Sequence, residues 1–221
     1  MPSTDTAVIA VAAGEGLVDV FGSLGAAGVV PGGQTMNPST KDILQAVEAT
    51  SSENVIILPN NKNIITTAAQ VEALTQKKIR VVPSKTIPQG VVALLAFDYE
   101  ADFKANAEIM EKALATVRTL EVTRSVRSTK VNGLNIKRHQ PIGLLDDELV
   151  AVGDTDIDVI NQMILKVDLE NAEVITIYYG LDTPASEAEE VSASITQLFP
   201  QLQVELIKGN QPHYNYIISV E

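Results

Sequence analysis

Small, amide, hydroxyl and lysine side chains follow four apolar stretches in the first half of the chain, and these are the residues best suited to hold a ligand. Glycine lets a ligand approach the backbone, a helix amino terminus attracts anions, and Lys62 and Lys85 add positive charge. The loops therefore predict the binding of an anion or of a partner protein. The candidate ligand- or partner-binding residues are Gly14, Glu15, Gly16, Gln34, Thr35, Asn37, Ser39, Thr40, Asn60, Asn61, Lys62, Asn63, Lys85, Thr86 and Gln89.

A structural interpretation stands beside this one for every loop. Asn, Ser, Thr and Pro are also the residues that cap helices and form turns, so each loop alone could do no more than that. Gly14 and Gly16 begin a strand-to-helix turn, but a dinucleotide-binding fingerprint would need a third glycine where the chain has Asp19. We therefore expect no Rossmann-type nucleotide site.

The same loops do not supply a reaction centre. They contain no His, and Glu15 is their single carboxylate, so no Ser–His–Asp arrangement can be built and no catalytic residue is predicted. His139 and His213 are isolated along the sequence, and such residues are more often solvated than bound to a ligand. The acidic runs 146–148 and 154–158 suit turns and first helical turns, and the second lacks the pattern of a calcium loop, so no metal site is predicted.

A basic segment interrupts the acidic second half of the chain. Arg118, Arg124, Arg127, Lys130, Lys137 and Arg138 face a single acid, Glu121, across this stretch. A solvated hairpin explains the pattern, and the alternative is a docking surface for an acidic partner or for nucleotide phosphates. The candidate docking residues are Arg124, Arg127, Lys137 and Arg138.

The four loops must be positioned by the strands and helices around them. Short apolar strands alternate with helical stretches through residues 1–98, which is typical of a parallel sheet covered on both faces. Such strands all end at one edge, so the loops should converge on one crevice. The predicted strands are 6–12, 28–30, 54–58 and 78–82, and the predicted helices are about 17–24, 38–49, 63–76 and 89–97, the second capped by Asn37 with Pro38 at its first position.

A long helix at about 101–120 is predicted next, because its apolar residues recur at intervals of three and four, and it should connect two lobes. Its inward seam is Phe103, Ala107, Met110, Leu114 and Val117. The domain prediction is a first lobe at 1–98, a connecting helix at 99–120 and a second lobe at 121–221. The overall expectation is an α/β fold, with a mostly parallel sheet in the first lobe and a mixed sheet with a hairpin in the second.

The second lobe begins with antiparallel structure. Val122, Arg124 and Val126 alternate with other residues over 121–128, and Asn132-Gly133 is a strong hairpin turn. The elements predicted after it are a helix at 156–167, a strand at 173–179, a helix at 186–199 capped by Ser186 and Glu189 with Ala188, Val191, Ile195 and Leu198 inward, and strands at 203–207 and 214–220.

Composition limits the classes of function. The chain has 221 residues, of which 45% are hydrophobic and 20% charged, so a compact globular fold is expected. Its net charge of −12 disfavours nucleic acids and anionic membranes, and the lack of Cys excludes disulfides, thiolate metal sites and a Cys nucleophile. The apolar run 7–13 lacks a basic leader and is too short to span a bilayer, so we expect no membrane span and a cytoplasmic location. The abrupt start suggests a piece of a longer protein.

Five segments together resemble a known bacterial family. They are Val-Ile-Ala-Val-Ala-Ala-Gly-Glu-Gly-Leu at 8–17, Gly-Gly-Gln-Thr-Met-Asn-Pro-Ser-Thr at 32–40, Ile-Leu-Pro-Asn-Asn-Lys-Asn-Ile at 57–64, Lys-Thr-Ile-Pro-Gln-Gly at 85–90 and Tyr-Ile-Ile-Ser-Val-Glu at 216–221. In these segments the chain closely resembles the carboxy-terminal domain of the bacterial fatty acid kinase component FakA, a dihydroxyacetone-kinase-like or DAK-phosphatase-type protein. The resemblance covers nearly the whole chain.

The resemblance implies a DegV-like fold, with two α/β lobes that face a cleft. It also implies a three-part parent protein, in which an amino-terminal domain binds ATP and Mg²⁺ and a middle domain precedes this segment. The Asp-Gly-Asp-Thr-Gly-like loop of that ATP domain does not occur in this sequence, so we expect no cofactor here and no phosphorylation by this segment alone. The implied partners are the acyl-binding subunit of the kinase and the other two domains of the parent chain.

Three functions follow, in descending order of preference. The first is a non-catalytic module that docks the acyl-binding subunit. The second is a lipid-binding module, with an acyl chain between the lobes and its carboxylate held by Gln34, Thr35, Ser39 or Lys62. The third is a domain that acts on dihydroxyacetone, which in such proteins is held through a His, here His139 or His213. The oligomeric state stays open, a homodimer included.

Overall fold

The computed structural model describes residues 5–131 and 133–221. The chain divides into two compact units, with the boundary between Thr116 and Val117. Each unit has its own sheet and its own hydrophobic core.

The amino-terminal unit alternates strands and helices, as the sequence predicts. Its strands are β1 (Thr6–Ala12), β2 (Gly28–Pro31), β3 (Asn54–Leu58) and β4 (Lys78–Val81). Its helices are α1 (Glu15–Ser23), α2 (Thr40–Ala49), α3 (Ile65–Ala69), α4 (Ile87–Leu95) and α5 (Phe103–Ala113), with 3₁₀ turns at Gln70–Leu74 and Leu114–Thr116.

The sheet of this unit has the strand order β2-β1-β3-β4, and all of its pairings are parallel. β1 is buried along its whole length, and β3 is buried from its second residue, because helices cover the inner strands of such a sheet on both faces. Ile9 and Ile57 are fully buried and pack with Ile43 and Val47 of α2. Each such side chain stabilises the fold by about 1.5–3 kcal/mol relative to an exposed one. The prediction of a parallel first sheet is confirmed.

Helix α2 begins later than the sequence suggests. The prediction of Asn37 as its cap and Pro38 as its first residue is wrong. Ser39 is the N-cap instead, and its hydroxyl accepts from the N–H of Asp42 while the Asp42 carboxylate accepts from the N–H of Ser39. These hydrogen bonds lower the pKa of Asp42. The reciprocal pair satisfies two amides that a cap at Asn37 would leave open.

The predicted long connecting helix at 99–120 is wrong in its last part. α5 ends at Ala113, a 3₁₀ turn follows, and residues 118–120 lie in a strand. β-Branched Val117 and Thr119 suit that strand better than a helix, and Thr119 pairs with Ser219. Sequence reasoning also missed Asn106, which is completely buried and exchanges hydrogen bonds with the backbone of Asp98.

The carboxy-terminal unit contains a mixed sheet. Its strands are β5 (Arg118–Arg124), β6 (Thr129–Val131), β7 (Leu134–Ile136), β8 (Pro141–Leu145), β9 (Glu148–Val152), β10 (Val174–Tyr179), β11 (Gln203–Lys208) and β12 (Tyr214–Val220), and its helices are α6 (Asp156–Ile164) and α7 (Ala185–Leu198). The main sheet has the order β11-β10-β12-β5-β8-β9, in which β10 and β11 are parallel and the other pairings antiparallel. The predicted mixed sheet is therefore confirmed.

Strands β6 and β7 form a separate antiparallel hairpin. Of the predicted Asn132-Gly133 turn, Asn132 lies outside the described residues, and Gly133 has a φ of 80°. The strand predicted over 121–128 ends earlier, at Arg124, and Val126 is 82% exposed instead of alternating with Val122. The chain leaves the main sheet there because Ser125 bonds to Gln140 and His139 across the base of the hairpin.

Helices α6 and α7 both pack into the core of this unit. Ala188, Val191 and Ile195 face inward as predicted, but Leu198 is 56% exposed. The predicted capping box of Ser186 and Glu189 is wrong, since α7 begins at Ala185 with Pro184 as a cap that makes no side-chain hydrogen bond. Ser186 therefore lies inside the first turn, too late to cap it.

Candidate functional site

The four predicted loops follow β1, β2, β3 and β4, and because these strands are parallel the loops lie at one edge of the sheet. We call residues 13–16, 32–40, 59–64 and 82–89 the loop edge. β1 lies between β2 and β3 in the sheet, so the loop after β1 has the two loops that follow those strands on either side. Open α/β sheets usually bind ligands in such a position.

Asn60 connects three strand ends at the loop edge. Its backbone N–H donates to Ser84 Oγ at 3.0 Å, and the Ser84 hydroxyl donates to Asn60 Oδ1 at 2.7 Å. Asn60 Nδ2 donates to the Val11 carbonyl at 2.9 Å. Asn60 is buried and has a φ of 55°, a left-handed conformation that Asn tolerates better than most residues. Asn60 therefore stabilises the edge from within.

Asn61, the next residue, connects two loops at the surface. Its Nδ2 donates to Gln34 Oε1 at 3.2 Å, and its Oδ1 accepts from the Asn63 N–H at 2.9 Å. Gln34 lies in a tight turn in which Gly33 and Met36 bond to each other through their backbones, and Thr35 has a φ of 65°. The turn and the Asn61 bridge together give this part of the edge a defined shape.

Several other predicted site residues also bond within the fold. Thr86 caps α4 by accepting from the Gln89 N–H, and Gln89 Oε1 accepts from the Lys85 N–H at 2.8 Å. Ser39 caps α2, and the Thr40 hydroxyl donates to Gln70 Oε1 at 3.0 Å. For these residues the structure provides the capping and turn contacts of the structural interpretation.

The exposed part of the loop edge is polar and carries positive charge. Its exposed predicted residues are Glu15, Gln34, Thr35, Asn37, Ser39, Lys62, Asn63 and Lys85, and Gly14, Gly16, Thr40, Asn61 and Gln89 are partly buried. Gly14 has a φ of 109°, so a glycine is needed before α1. The edge thus presents amides, hydroxyls and two ammonium groups to solvent.

Sequence reasoning did not select Ser84 and Gly90, although both shape this edge. Ser84 is fully buried, and a Cβ on residue 90 would collide with the side chain of Asn60. A serine between Pro83 and Lys85 carries no signal for burial, and a helical glycine gives no sign of the side chain that packs against it.

The carboxy-terminal unit holds a buried polar cluster. Asp156, the first residue of α6, has a side chain only 1% exposed, and its Oδ1 pairs with Arg124 Nη2 at 2.9 Å. Its Oδ2 accepts from Asn215 Nδ2 at 2.9 Å. Burial raises the pKa of Asp156, Glu187 raises it further, and Arg124 and Asn215 oppose the rise. Burial likewise raises the pKa of Tyr216, whose hydroxyl donates to Glu187.

Arg124 is thus paired with a buried acid, whereas the other predicted docking residues lie on the hairpin. Arg127, Lys137 and Arg138 are exposed there. His139 lies on the same hairpin and His213 precedes β12, so neither His belongs to the unit that carries the loop edge.

Two searches of the described residues bear on other classes of site. Within residues 5–131 and 133–221, no three or more His, Cys, Asp or Glu side chains are grouped so as to hold a metal ion. In the same residues, none of the helices combines the length and apolar character needed to cross a bilayer.

Known proteins similar to this chain identify its family. The family of FakA-like carboxy-terminal domains of fatty acid kinase matches residues 7–221. The chain belongs to this family. Protein YloV of Bacillus subtilis is 39% identical over 214 residues, which are 97% of this chain and 39% of YloV. The chain therefore spans about two fifths of that relative's length.

Solved structures show the fold of this family member. A DegV family protein from Eubacterium eligens, loaded with heptadecanoic acid, superposes with a TM-score of 0.68 at 11% identity, over 98% of this chain and 99% of its own. The fatty acid kinase B3 protein of Streptococcus pneumoniae, loaded with linoleic acid, gives 0.58 at 13% identity, over 83% and 76% of the two chains. The expected DegV-like fold is confirmed, and at these identities the likeness concerns the fold alone.

Proposed function

We propose that this chain is the module through which a fatty acid kinase docks its acyl-binding subunit, with the loop edge as the contact surface. The chain spans 39% of YloV, which supports a parent protein with further domains. ATP and Mg²⁺ would bind in those domains, where the phosphoryl transfer to the fatty acid would take place. This segment would then bring the acyl-loaded partner to the kinase.

The observation that carries the proposal is how the polar side chains of the loop edge are used. Asn60, Ser84, Thr86 and Gln89 spend their hydrogen bonds on one another and on the backbone, which fixes the edge. A pre-shaped surface loses little conformational entropy when a protein docks on it. Family membership connects this surface to a fatty acid kinase.

The chemistry of the exposed residues agrees with docking. Lys62, Lys85 and the Gln34–Asn61 pair offer hydrogen bonds and positive charge to a partner. Glu15 is the single carboxylate of these loops, and they contain no His, so no general acid–base pair can be formed from them. The arrangement therefore suits recognition.

A binding titration tests the proposal. The 221-residue chain is titrated into the acyl-binding subunit loaded with oleate, by calorimetry at physiological salt. A saturable complex with a Kd below tens of micromolar is expected, and no detectable complex at that concentration would contradict the docking function. The empty subunit, measured in parallel, shows whether the acyl chain contributes.

Fatty acid binding by this chain itself is the second candidate function. It is favoured by the fold, which the E. eligens protein loaded with heptadecanoic acid shares. Gln34, Thr35 or Lys62 could hold the carboxylate, whereas the Ser39 hydroxyl is engaged with Asp42. Native mass spectrometry after incubation with oleate decides between the outcomes. A bound acyl mass supports this function, and a mass of the bare chain excludes it.

A further inference from the structure

The hairpin of the carboxy-terminal unit is the most concentrated basic feature of the chain. We call residues 125–140 the basic arm. It contains Arg127, Lys130, Lys137 and Arg138 and no Asp or Glu, in a chain with a net charge of −12. All four cationic side chains are exposed.

The cations of the arm are not neutralised by neighbouring acids. The ion pairs described for residues 5–131 and 133–221 join Lys104 to Glu108, Arg118 to Asp146 and Arg124 to Asp156, and none includes a cation of the arm. Arg124, just before the arm, illustrates the contrast, because its charge is paired with a buried carboxylate. The four charges of the arm therefore remain open to an external anion.

The arm has a fixed shape although it is separate from the main sheet. At its base the Ser125 N–H donates to the Gln140 carbonyl at 3.0 Å, and the His139 N–H donates to the Ser125 carbonyl at 2.7 Å. The Arg138 N–H donates to Ser128 Oγ at 3.0 Å, which joins the two sides. β6 and β7 then pair along the arm, so its charges are held on an ordered hairpin.

An apolar contact accompanies the charges. Val126 is 82% exposed and Val131 is 38% exposed, whereas Ile136 is buried and anchors the arm. A surface that combines cations with exposed valines is suited to a protein, since charge provides orientation and attraction while the apolar groups add affinity when water is excluded.

The surroundings of the arm select the kind of anion. A cleft of about 630 Å³ runs between the arm and α6, and Asp154 and Asp158 line it beside Asn135 and Gln140. A long polyanion or a bilayer would extend over these acids and the rest of a strongly acidic chain. A compact acidic patch contacts the arm alone, because charges further away are screened beyond about 8 Å at physiological salt.

We infer that the basic arm binds a compact acidic surface on the acyl-binding subunit, as an electrostatic contact separate from the loop edge. The inference rests on the proposed docking function and names a second surface for it. The arm accelerates and orients the encounter, so its contribution depends steeply on salt.

The test compares two variants with the same change of net charge. One replaces the arm cations (R127Q, K130Q, K137Q and R138Q), and the control replaces four exposed cations of the amino-terminal unit (K78Q, R80Q, K104Q and K112Q). Binding to the oleate-loaded acyl-binding subunit is measured between about 50 and 300 mM NaCl, a range over which surface electrostatics is progressively screened. The thermal midpoint and circular dichroism spectrum of each variant verify folding.

We expect the arm variant to bind about tenfold more weakly at low salt and to lose most of the salt dependence, while the control behaves like the wild type. If the wild type binds and the arm variant binds equally well, the inference is wrong and the docking function stands. If the wild type does not bind, the docking function itself is wrong, and the inference falls with it.

The remaining occupants are tested with the same proteins. Sedimentation of the chain alone would reveal a second copy on the arm as self-association that the arm variant loses. Flotation with phosphatidylglycerol vesicles would reveal a membrane surface in the same way. Either loss would overturn the assignment to the acyl-binding subunit, and its absence supports it.

Discussion

The side chain of Asn60 lies in the space directly beside Gly90, so that a Cβ on residue 90 would be 2.6 Å from Asn60 Cγ. No real Cβ tolerates such a distance, and Asn60 cannot withdraw without breaking its hydrogen bonds to Ser84 and Val11. The close approach of α4 to the end of β3 therefore depends on a glycine in the helix.

Two helical glycines are expected to respond oppositely to alanine. Gly90→Ala should lower the free energy of unfolding by about 1–3 kcal/mol through overpacking against Asn60. Gly22→Ala in α1 should raise it by about 0.5–1 kcal/mol, because a Cβ there meets nothing within 4 Å and alanine favours the helix. Urea unfolding of the two variants measures both values, and a stabilising Gly90→Ala would contradict the packing at the loop edge.

Asn60→Ala should destabilise the chain by about 2–4 kcal/mol, because it leaves the Val11 carbonyl and Ser84 without their partner. Its positive φ adds strain for alanine. Asn60→Gly loses the same hydrogen bonds without that strain, so it should be more stable than Asn60→Ala by about 1 kcal/mol. Equal unfolding free energies for the two variants would show that the backbone conformation at residue 60 contributes nothing.

The sequence is sufficient to predict the framework that positions these residues. Continuous apolar runs predict β1 and β3 at their observed limits, and the change to alternation and hairpin turns predicts a second, mixed sheet. The loop edge follows from these strands, since parallel strands end together.

The roles within the loop edge could not be predicted in the same way. Asn60 and Asn61 are adjacent and chemically alike, yet one is buried under α4 and the other bridges to Gln34 at the surface. Which of the two turns inward depends on the φ of 55° at residue 60 and on Gly90, which is distant in the sequence. Residue type alone likewise does not single out Ser39 as the cap of α2, because Asn37 and Pro38 fit a helix start equally well.

The two ends of β5 provide a matched pair of ion pairs. Arg124→Met leaves the buried Asp156 carboxylate without a cation, and should cost about 1–3 kcal/mol, reduced from a fully buried pair because Arg124 is partly exposed. Arg118→Met breaks an exposed pair with Asp146 and should cost at most about 1 kcal/mol. Unfolding in urea at neutral pH gives both values, and an equal cost would mean that burial of Asp156 does not matter.

Asp156 should also give stability a defined pH dependence. Its pKa is raised in the folded chain, so between the ordinary value near about 3.9 and the raised value the folded state holds more protons than the unfolded state. The contribution of Asp156 to stability therefore falls as pH rises through this window and is constant above it. The unfolding free energy of wild type minus that of Asp156→Asn should fall in the same way, and a difference that rises with pH would contradict a raised pKa.

Lys62→Ala combined with Lys85→Ala tests the loop edge as a docking surface. Both side chains are exposed, so the thermal midpoint should change little, while affinity for the oleate-loaded acyl-binding subunit should fall by about tenfold or more. Lys104→Ala with Lys112→Ala removes the same charge from α5 and should leave binding unchanged. Equal affinity of the Lys62/Lys85 variant and this control would show that the loops serve as turns and caps alone.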